Sequence, residues 1–440
     1  MISRRALNRF VSPGVLVLVF QSAVLARSAS KLRSTTRRTD NPMTRSAVRV
    51  TLEVTMDDTP KIELVRDLDD HDVEERDAKL TDAVATGRLN RWLTTLVERG
   101  GSDLLLVHGT PPCIRLKGEV VNLDARVVQG QEIEAAVLPA LTSNGLRLYR
   151  ETQIADSSYR VNGLGRFRVN IHRERGHAAA AIRALPSKVP LLRDLRLPAQ
   201  LEALTRLPRG LVLIGGPAGS GKTTTLSALV HEINRREPRH ILTIEDPIEY
   251  EHTNIRSVIE QIEIGSDVAD FPTALRAALR QAPDVLVVGE MRDPETMRIA
   301  VSAAETGHLV LSTVHTTDVG STISRISDSF PLERQNTIRQ ELAMALAAIQ
   351  TQILLPSKNG GRVPAAELLM VGYGAKQHIR RNALQHLSQE ITMTKKSGSF
   401  SLEESLVELL LQGHIDREEA LLYALHPDDV DAMLRARGHR

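Results

Sequence analysis

Four short apolar runs set the rhythm of the middle of the chain: Leu211-Val212-Leu213-Ile214, His240–Ile244, Val285-Leu286-Val287-Val288 and Leu309-Val310-Leu311-Ser312. Each is too short to cross a membrane as a helix and has the length of a buried strand. After the first, Leu226, Leu229, Val230 and Ile233 recur at helical spacing within Thr224–Asn234. Strands that are apolar throughout and alternate with helices predict a mostly parallel, helix-covered sheet.

Upstream the pattern changes. Leu89, Trp92, Leu93, Leu96 and Val97 predict an amphipathic helix that stops at Gly100-Gly101. Ser102–Val107 and Cys113–Leu116 read as strands around the turn Gly109-Thr110-Pro111-Pro112. A helix follows at Gln131–Leu141, then strands at Tyr159–Val161, Arg166–Ile171 and Ala179–Leu185, with Gly163 and Gly176 at the turns. This is the pattern of an α+β module with an antiparallel sheet. Downstream, Arg334–Leu354 reads as one long helix followed by the loop Lys358–Arg362. The tail reads as short helices such as Leu402–Leu411 and Arg417–Ala424. The limits predicted are a terminal segment at 1–81, domains at 82–205 and 206–371, and a helical region at 372–440.

Composition narrows the function. The chain has 440 residues, 42% of them apolar but only 3% aromatic, so its cores are aliphatic and base-stacking platforms are scarce. Cys113 is the single cysteine, which excludes a disulfide framework and a four-cysteine zinc element. The net charge of +2 is unevenly spread: residues 1–50 carry +9, residues 51–80 carry −7, and the remainder is neutral. A neutral body argues against nucleic acid as a partner. Arg4, Arg5 and Arg9 followed by the apolar Val15–Phe20 resemble a signal peptide. A disordered basic tail, or Met43 as the true first residue, are the readings preferred here. Residues 51–80 read as an acidic linker.

The chemistry is concentrated after the first apolar run. Gly216-Pro217-Ala218-Gly219-Ser220-Gly221-Lys222-Thr223 has the spacing G-x-x-x-x-G-K-[ST] between a strand and a helix, with Thr224 beginning the helix beside it. Small residues let backbone N–H groups turn inward around phosphate oxygens, and the helix end adds its positive dipole. Lys222 would reach the β- and γ-phosphates of ATP, and the Thr223 hydroxyl would take a place on Mg²⁺. The other three runs end in Glu245-Asp246-Pro247-Ile248-Glu249, in Gly289-Glu290-Met291-Arg292-Asp293 and in Thr313-Val314-His315-Thr316. Such clusters lie beyond the carboxyl ends of strands, where open α/β sheets bind ligands. A carboxylate of the second run could deprotonate water, Glu290 could partner Mg²⁺, and His315 could hydrogen-bond the γ-phosphate.

In these motifs the sequence resembles the ATPases of type II secretion and type IV pili, particularly the PilT/PilU type that powers pilus retraction. Thr243–Tyr250 is similar to that family's Asp box, Leu279–Asp293 to its Walker B signature, and Thr306–Leu309 with His315-Thr316 to its His box. Arg166-Phe167-Arg168-Val169-Asn170 and Pro208-Arg209-Gly210 match as well. The resemblance implies an α/β fold with a RecA-like P-loop NTPase core, a preceding PAS-like α+β domain and a helical C-terminal tail, assembled as a homo-hexamer. It implies Glu249 as general base with Glu245 the alternative, Glu290 as the Walker B carboxylate, His308 and His315 as His-box residues, and Arg183 and Arg209 as arginines reaching a nucleotide. It also implies a cytoplasmic protein peripheral to the inner membrane that acts on a pilus or secretion platform protein. An accessory subunit that binds nucleotide and regulates a paralogous pilus ATPase is the second reading. Where retraction motors carry Ala-Ile-Arg-Asn-Leu-Ile-Arg-Glu, this chain has Ala375-Lys376-Gln377-His378-Ile379-Arg380-Arg381-Asn382.

Overall fold

A computed structural model describes residues 87–438, so the expectations for residues 1–81 lie outside it. The helix predicted first spans 87–98 (α1) and buries Leu89, Trp92, Leu93 and Leu96, whereas Val97 turns outward. Gly100, with φ 68°, ends it in the left-handed conformation that glycine adopts freely. The helix packs with β1 (Asp103–Leu106), β2 (Cys113–Leu116), β3 (Glu119–Asn122), α2 (Gly130–Val137), α3 (Ser143–Thr152), β4 (Ile154–Val161), β5 (Gly165–Glu174) and β6 (His177–Ala184). The strands form an antiparallel sheet of order β3-β2-β1-β6-β5-β4. Two elements were not foreseen. The edge strand β3 is short and mostly exposed, and α3 buries only Gly145 and Tyr149, so neither carries a strong apolar period. Their signals are local: a turn at Lys117-Gly118 and an N-cap in which Thr142 accepts from the Gly145 N–H.

The four apolar runs are β7 (Gly210–Gly215), β8 (His240–Glu245), β10 (Val285–Val288) and β11 (Leu309–Val314). They run parallel and are almost entirely buried. The parallel edge strand β9 (Val258–Glu263), polar and half-exposed, was not foreseen. The helices between strands are α4 (Lys222–Arg236), α5 (Phe271–Ala278), α6 (Pro294–Glu305), α7 (Val319–Asp328) and α8 (Leu332–Ala345). One apolar layer holds α4 against a face of the sheet, and a second holds α5 to α8 against the other.

The long helix expected at Arg334–Leu354 is corrected. The chain leaves the helix after Ala345 and enters β12 (Leu346–Pro356), which turns into β13 (Arg362–Met370), giving a sheet of order β13-β12-β7-β11-β10-β8-β9. The Ala- and Leu-rich composition favours helix, but the β-branched Ile349, Thr351 and Ile353 alternate along it. Pairing with β7 on one side and β13 on the other supplies ladder bonds that override local propensity. Beyond lie α9 (Tyr373–Arg380), α10 (Leu387–Met393), α11 (Leu402–Leu411), α12 (Arg417–Tyr423) and α13 (Pro427–Ala436). The last three close an apolar cluster over the far ends of β12 and β13. Among the described residues no helix is long and apolar enough to cross a membrane.

Because Ile349 is fully buried in β12, Ile349→Ala should cost about 2–5 kcal/mol in urea unfolding. Leu332→Ala, at an 83% exposed position, should cost less than about 0.5 kcal/mol. Equal effects would contradict the placement of β12 in the core.

Candidate active site

Parallel strands deliver their carboxyl ends to one edge of the sheet. At the end of β7 the chain turns through the phosphate loop into α4, whose N-cap Gly221 has φ 88°. Gly216, at φ 151°, passes so close to its surroundings that a Cβ there would stand 2.3 Å from Ser220 Oγ and 2.5 Å from the Gln352 carbonyl. The loop curls around Lys222, which is only 7% exposed and donates to the carbonyls of Gly216 at 2.8 Å and Pro217 at 3.0 Å. Burial lowers the ammonium's pKa from its ordinary value, while the charge of Glu290 pulls the other way. The loop's Ser220 is buried, and its hydroxyl has no hydrogen-bond partner among the described residues.

A residue 132 positions beyond Ser220 supports this loop. Gln352 of β12, fully enclosed, donates through Nε2 to the Ser220 carbonyl at 2.7 Å and accepts from Thr225 Oγ1 at 2.8 Å and Gln350 Nε2 at 2.9 Å. No motif marks it, because the segment's composition predicts helix and hides the strand that carries it. Buried glutamines within an apolar run were the available signal, since buried amides need partners.

The ends of the neighbouring strands meet the loop across a cleft of about 550 Å³. Its walls include Ala218, Gly219, Gly221, Lys222, Thr223, Thr224, Glu245, Glu249, Glu290 and His315. Gly216, Pro217 and Ser220 shape the loop from behind. His315 stands between the two charges: its Nδ1 is 3.4 Å from Lys222 Nζ and its Nε2 is 3.2 Å from Glu290 Oε1. An ammonium facing Nδ1 requires that nitrogen to be the acceptor, so Nε2 carries the proton toward Glu290. The other oxygen of Glu290 accepts from Arg292 Nε at 2.8 Å. Thr224 and Tyr250 share a hydroxyl contact of 3.1 Å, tying the Asp box to α4.

The two candidate bases differ in surroundings. Glu245 is 8% exposed, and burial pushes its carboxyl up to about 7, against hydrogen bonds from Thr243 and Gln261 that lower it. Glu249 is half-exposed on the cleft wall.

Arg183 lines the cleft with Arg168, and the two stand directly opposite each other on β5 and β6. Like charges so paired repel unless an anion lies between them. Arg183 Nε donates to Asp103 at 2.8 Å, and Arg168 Nε lies 3.7 Å from Asp156. Arg209 is not brought to this cleft. It precedes β7, at the opposite end of that strand, and lines a separate cavity with Lys376. His308 likewise precedes β11, its Nδ1 3.0 Å from the Ala303 carbonyl, a whole strand away from His315. The donors near the loop suit Mg²⁺, which takes one or two protein oxygens and completes its shell with phosphates and water. Thr223 and Glu290, both on the cleft wall, are the residues that would hold such an ion. Among the described residues no group of three or more His, Cys, Asp or Glu is arranged to hold a metal by itself.

A phosphate loop on an interior strand of a mostly parallel, helix-covered sheet, with acidic and histidine groups at neighbouring strand ends, defines a P-loop NTPase core of the RecA-like kind. The α+β module before it and the helical tail complete the expected fold. The chain belongs to the Type II/IV secretion system protein family, whose model matches residues 188–418. It is 38% identical over 341 residues to the "Type IV pilus retractation ATPase PilT" of Pseudomonas aeruginosa, covering 78% of this chain and 99% of that protein. It is 34% identical to the "Type IV pilus ATPase PilU" of the same organism, covering 78% of this chain and 91% of the relative. Among solved structures, the pilus retraction motor PilT with bound ADP superimposes with a TM-score of 0.70 at 40% identity, covering 77% of this chain and 97% of that one. The ATPase DotB of Legionella pneumophila matches with a TM-score of 0.68 at 26% identity, covering 77% and 95%.

Gly216→Ala should reduce affinity for a fluorescent ATP analogue at least about 10-fold, because the loop must open to admit the methyl group. Unchanged affinity would contradict the loop geometry. Glu245 gives a pH test. Its folded-state pKa lies above the unfolded value of 4.5, so the folded state holds a proton that the unfolded state loses between about pH 4.5 and 7, and its stability contribution falls as pH rises through that window. Glu245→Gln removes this term. Relative to the wild type, the variant should gain on the order of 1–3 kcal/mol between pH 5 and pH 8 in urea unfolding.

Proposed function

We propose that this chain is a Mg·ATP-hydrolysing motor that works as a homo-hexamer on a pilus or related secretion platform, with the limits 82–205 and 206–371 for its two main domains. The observation that carries the reading is the Lys222–His315–Glu290 chain beside Glu249 in one cleft. Lys222 offers positive charge to the β- and γ-phosphates, Thr223 and Glu290 would hold Mg²⁺, and the loop's N–H groups bind the remaining phosphate oxygens. Mg²⁺, when bound, neutralises charge that develops on the phosphate oxygens. Glu249 orients and deprotonates the attacking water; both carboxylates line the cleft, but Glu249 is half-exposed to it, whereas Glu245 is 8% exposed and already accepts from Thr243 and Gln261. His315, hydrogen-bonded to both the lysine and Glu290, reports the γ-phosphate. Arg183 and Arg168 add positive charge from the six-stranded sheet.

The names of the relatives support a pilus motor: those proteins are called a type IV pilus retraction ATPase and a pilus ATPase. The site of work is taken to be the cytoplasmic surface of the inner membrane, and the partner a platform protein there. Arg209, remote from its own cleft, is assigned to a neighbouring subunit's nucleotide in the ring. The segment forming α9 departs from the retraction-motor motif, which sets a retraction role in question and leaves ATP hydrolysis untouched; an accessory subunit with little turnover of its own is the second reading.

Lys222→Ala should abolish nucleotide binding or turnover, while Glu290→Gln should bind ATP yet scarcely hydrolyse it. Glu249→Gln should lose about 10²–10⁴ in steady-state rate. Specific activity should rise steeply with protein concentration, and Arg209→Ala should lower it without unfolding the chain. Wild-type turnover in the Glu249→Gln/Glu290→Gln double variant would overturn the mechanism, and a fully active monomer would overturn the shared site.

A further inference from the structure

We infer that Arg166 and Glu263 are positioning residues for Glu249, forming a latch by which the six-stranded sheet sets the base of its own chain. The inference rests on the reading of Glu249 as the base. Glu249 sits in the loop that leaves β8, directly after Ile248. The Ile248 backbone is gripped on both sides: its N–H donates to Glu263 Oε2 at 3.1 Å, and its carbonyl accepts from Arg166 Nη1 at 2.8 Å. Arg166 Nη2 donates to the same Glu263 oxygen at 2.5 Å, closing a ring of three contacts around the backbone of that one residue. The remaining oxygen of Glu263 accepts from Ser158 Oγ of β4.

The loop is also held beyond Glu249. The Tyr250 carbonyl accepts from Gln261 Nε2 at 2.9 Å, its hydroxyl meets Thr224, and Glu251 pairs with Arg160. Glu249 is therefore bracketed by fixed neighbours, and its side chain lines the phosphate cleft. Arg166 and Glu263 do not line that cleft, so their action on the reaction passes through the loop. Arg166 and Arg168 share one face of β5, where side chains alternate. One grips the loop that carries the base; the other reaches the cleft. Glu263 is 5% exposed, and a carboxylate so buried requires its cation. If the arginine is lost, the Ile248 carbonyl loses its donor and the carboxylate its counter-charge, so the loop relaxes. Misplacing a base by about an ångström costs on the order of 10²-fold in rate without weakening phosphate contacts.

The test uses the full chain, with steady-state phosphate release for rate and a fluorescent ATP analogue for affinity. Arg166→Gln and Glu263→Gln should each lower kcat about 10–100-fold while leaving the affinity within about 3-fold. Arg166→Lys should recover part of the loss. If a single variant is unstable, Arg166→Gln/Glu263→Gln leaves no buried charge unpaired and should fold and bind nucleotide with equally low kcat. Added to Glu249→Gln, Arg166→Gln should cause no further loss of rate, because both act through one group; a merely structural role would lower the rate again. Wild-type kcat in the latch variants while Glu249→Gln is inactive, or affinity lost in step with kcat, would overturn the latch alone. Full activity in Glu249→Gln would overturn the assignment of the base, and the latch with it.

Discussion

A lysine ammonium that is 7% exposed dictates the shape of the site. So buried a charge must be surrounded by acceptors. The loop supplies two of its own carbonyls, which forces it into a tight curl and requires a residue without a side chain at Gly216. That curl in turn leaves the Ser220 carbonyl pointing into the core, where Gln352 meets it. His315 and Glu290 complete the surroundings from adjacent strands, so three strand ends are held in register by one charge.

The six-stranded sheet contributes charge rather than apolar burial to the cleft. Arg168 and Arg183 face each other across neighbouring strands, an arrangement unfavourable in isolation and suited to an anion between them. The acidic side of the cleft comes from the core: Glu249 and Glu290, with Glu245 held near 7 by burial. Positive and acidic groups thus face each other across the cleft, each side offering what the other lacks.

Where a single element carries its own signal, the chain was readable. The apolar runs Leu211–Ile214, Val285–Val288 and Leu309–Ser312 became buried parallel strands, and the phosphate-loop spacing marked the turn into α4. The failures share a cause. The segment after Ala345 looks helical by composition, and only its neighbours β7 and β13 make it a strand. Gln352 therefore escaped notice, although it holds the loop. Arg209 lies immediately before a strand whose far end carries the loop, and proximity in the sequence conceals that separation. The contacts of Arg166 with Ile248 and Glu263 join residues 82 and 97 positions apart, beyond any local period.

The central claim is repeated turnover of ATP at this cleft by the chain itself. Phosphate release from ATP by the purified full-length protein, followed over many enzyme equivalents with Mg²⁺ and with excess chelator, tests it most directly. The account predicts continuous release of one phosphate per ADP formed, dependent on Mg²⁺, well beyond one equivalent per subunit. ATP bound in stoichiometric amount and recovered unchanged would contradict it, and would make the chain a nucleotide-binding accessory subunit instead of a motor.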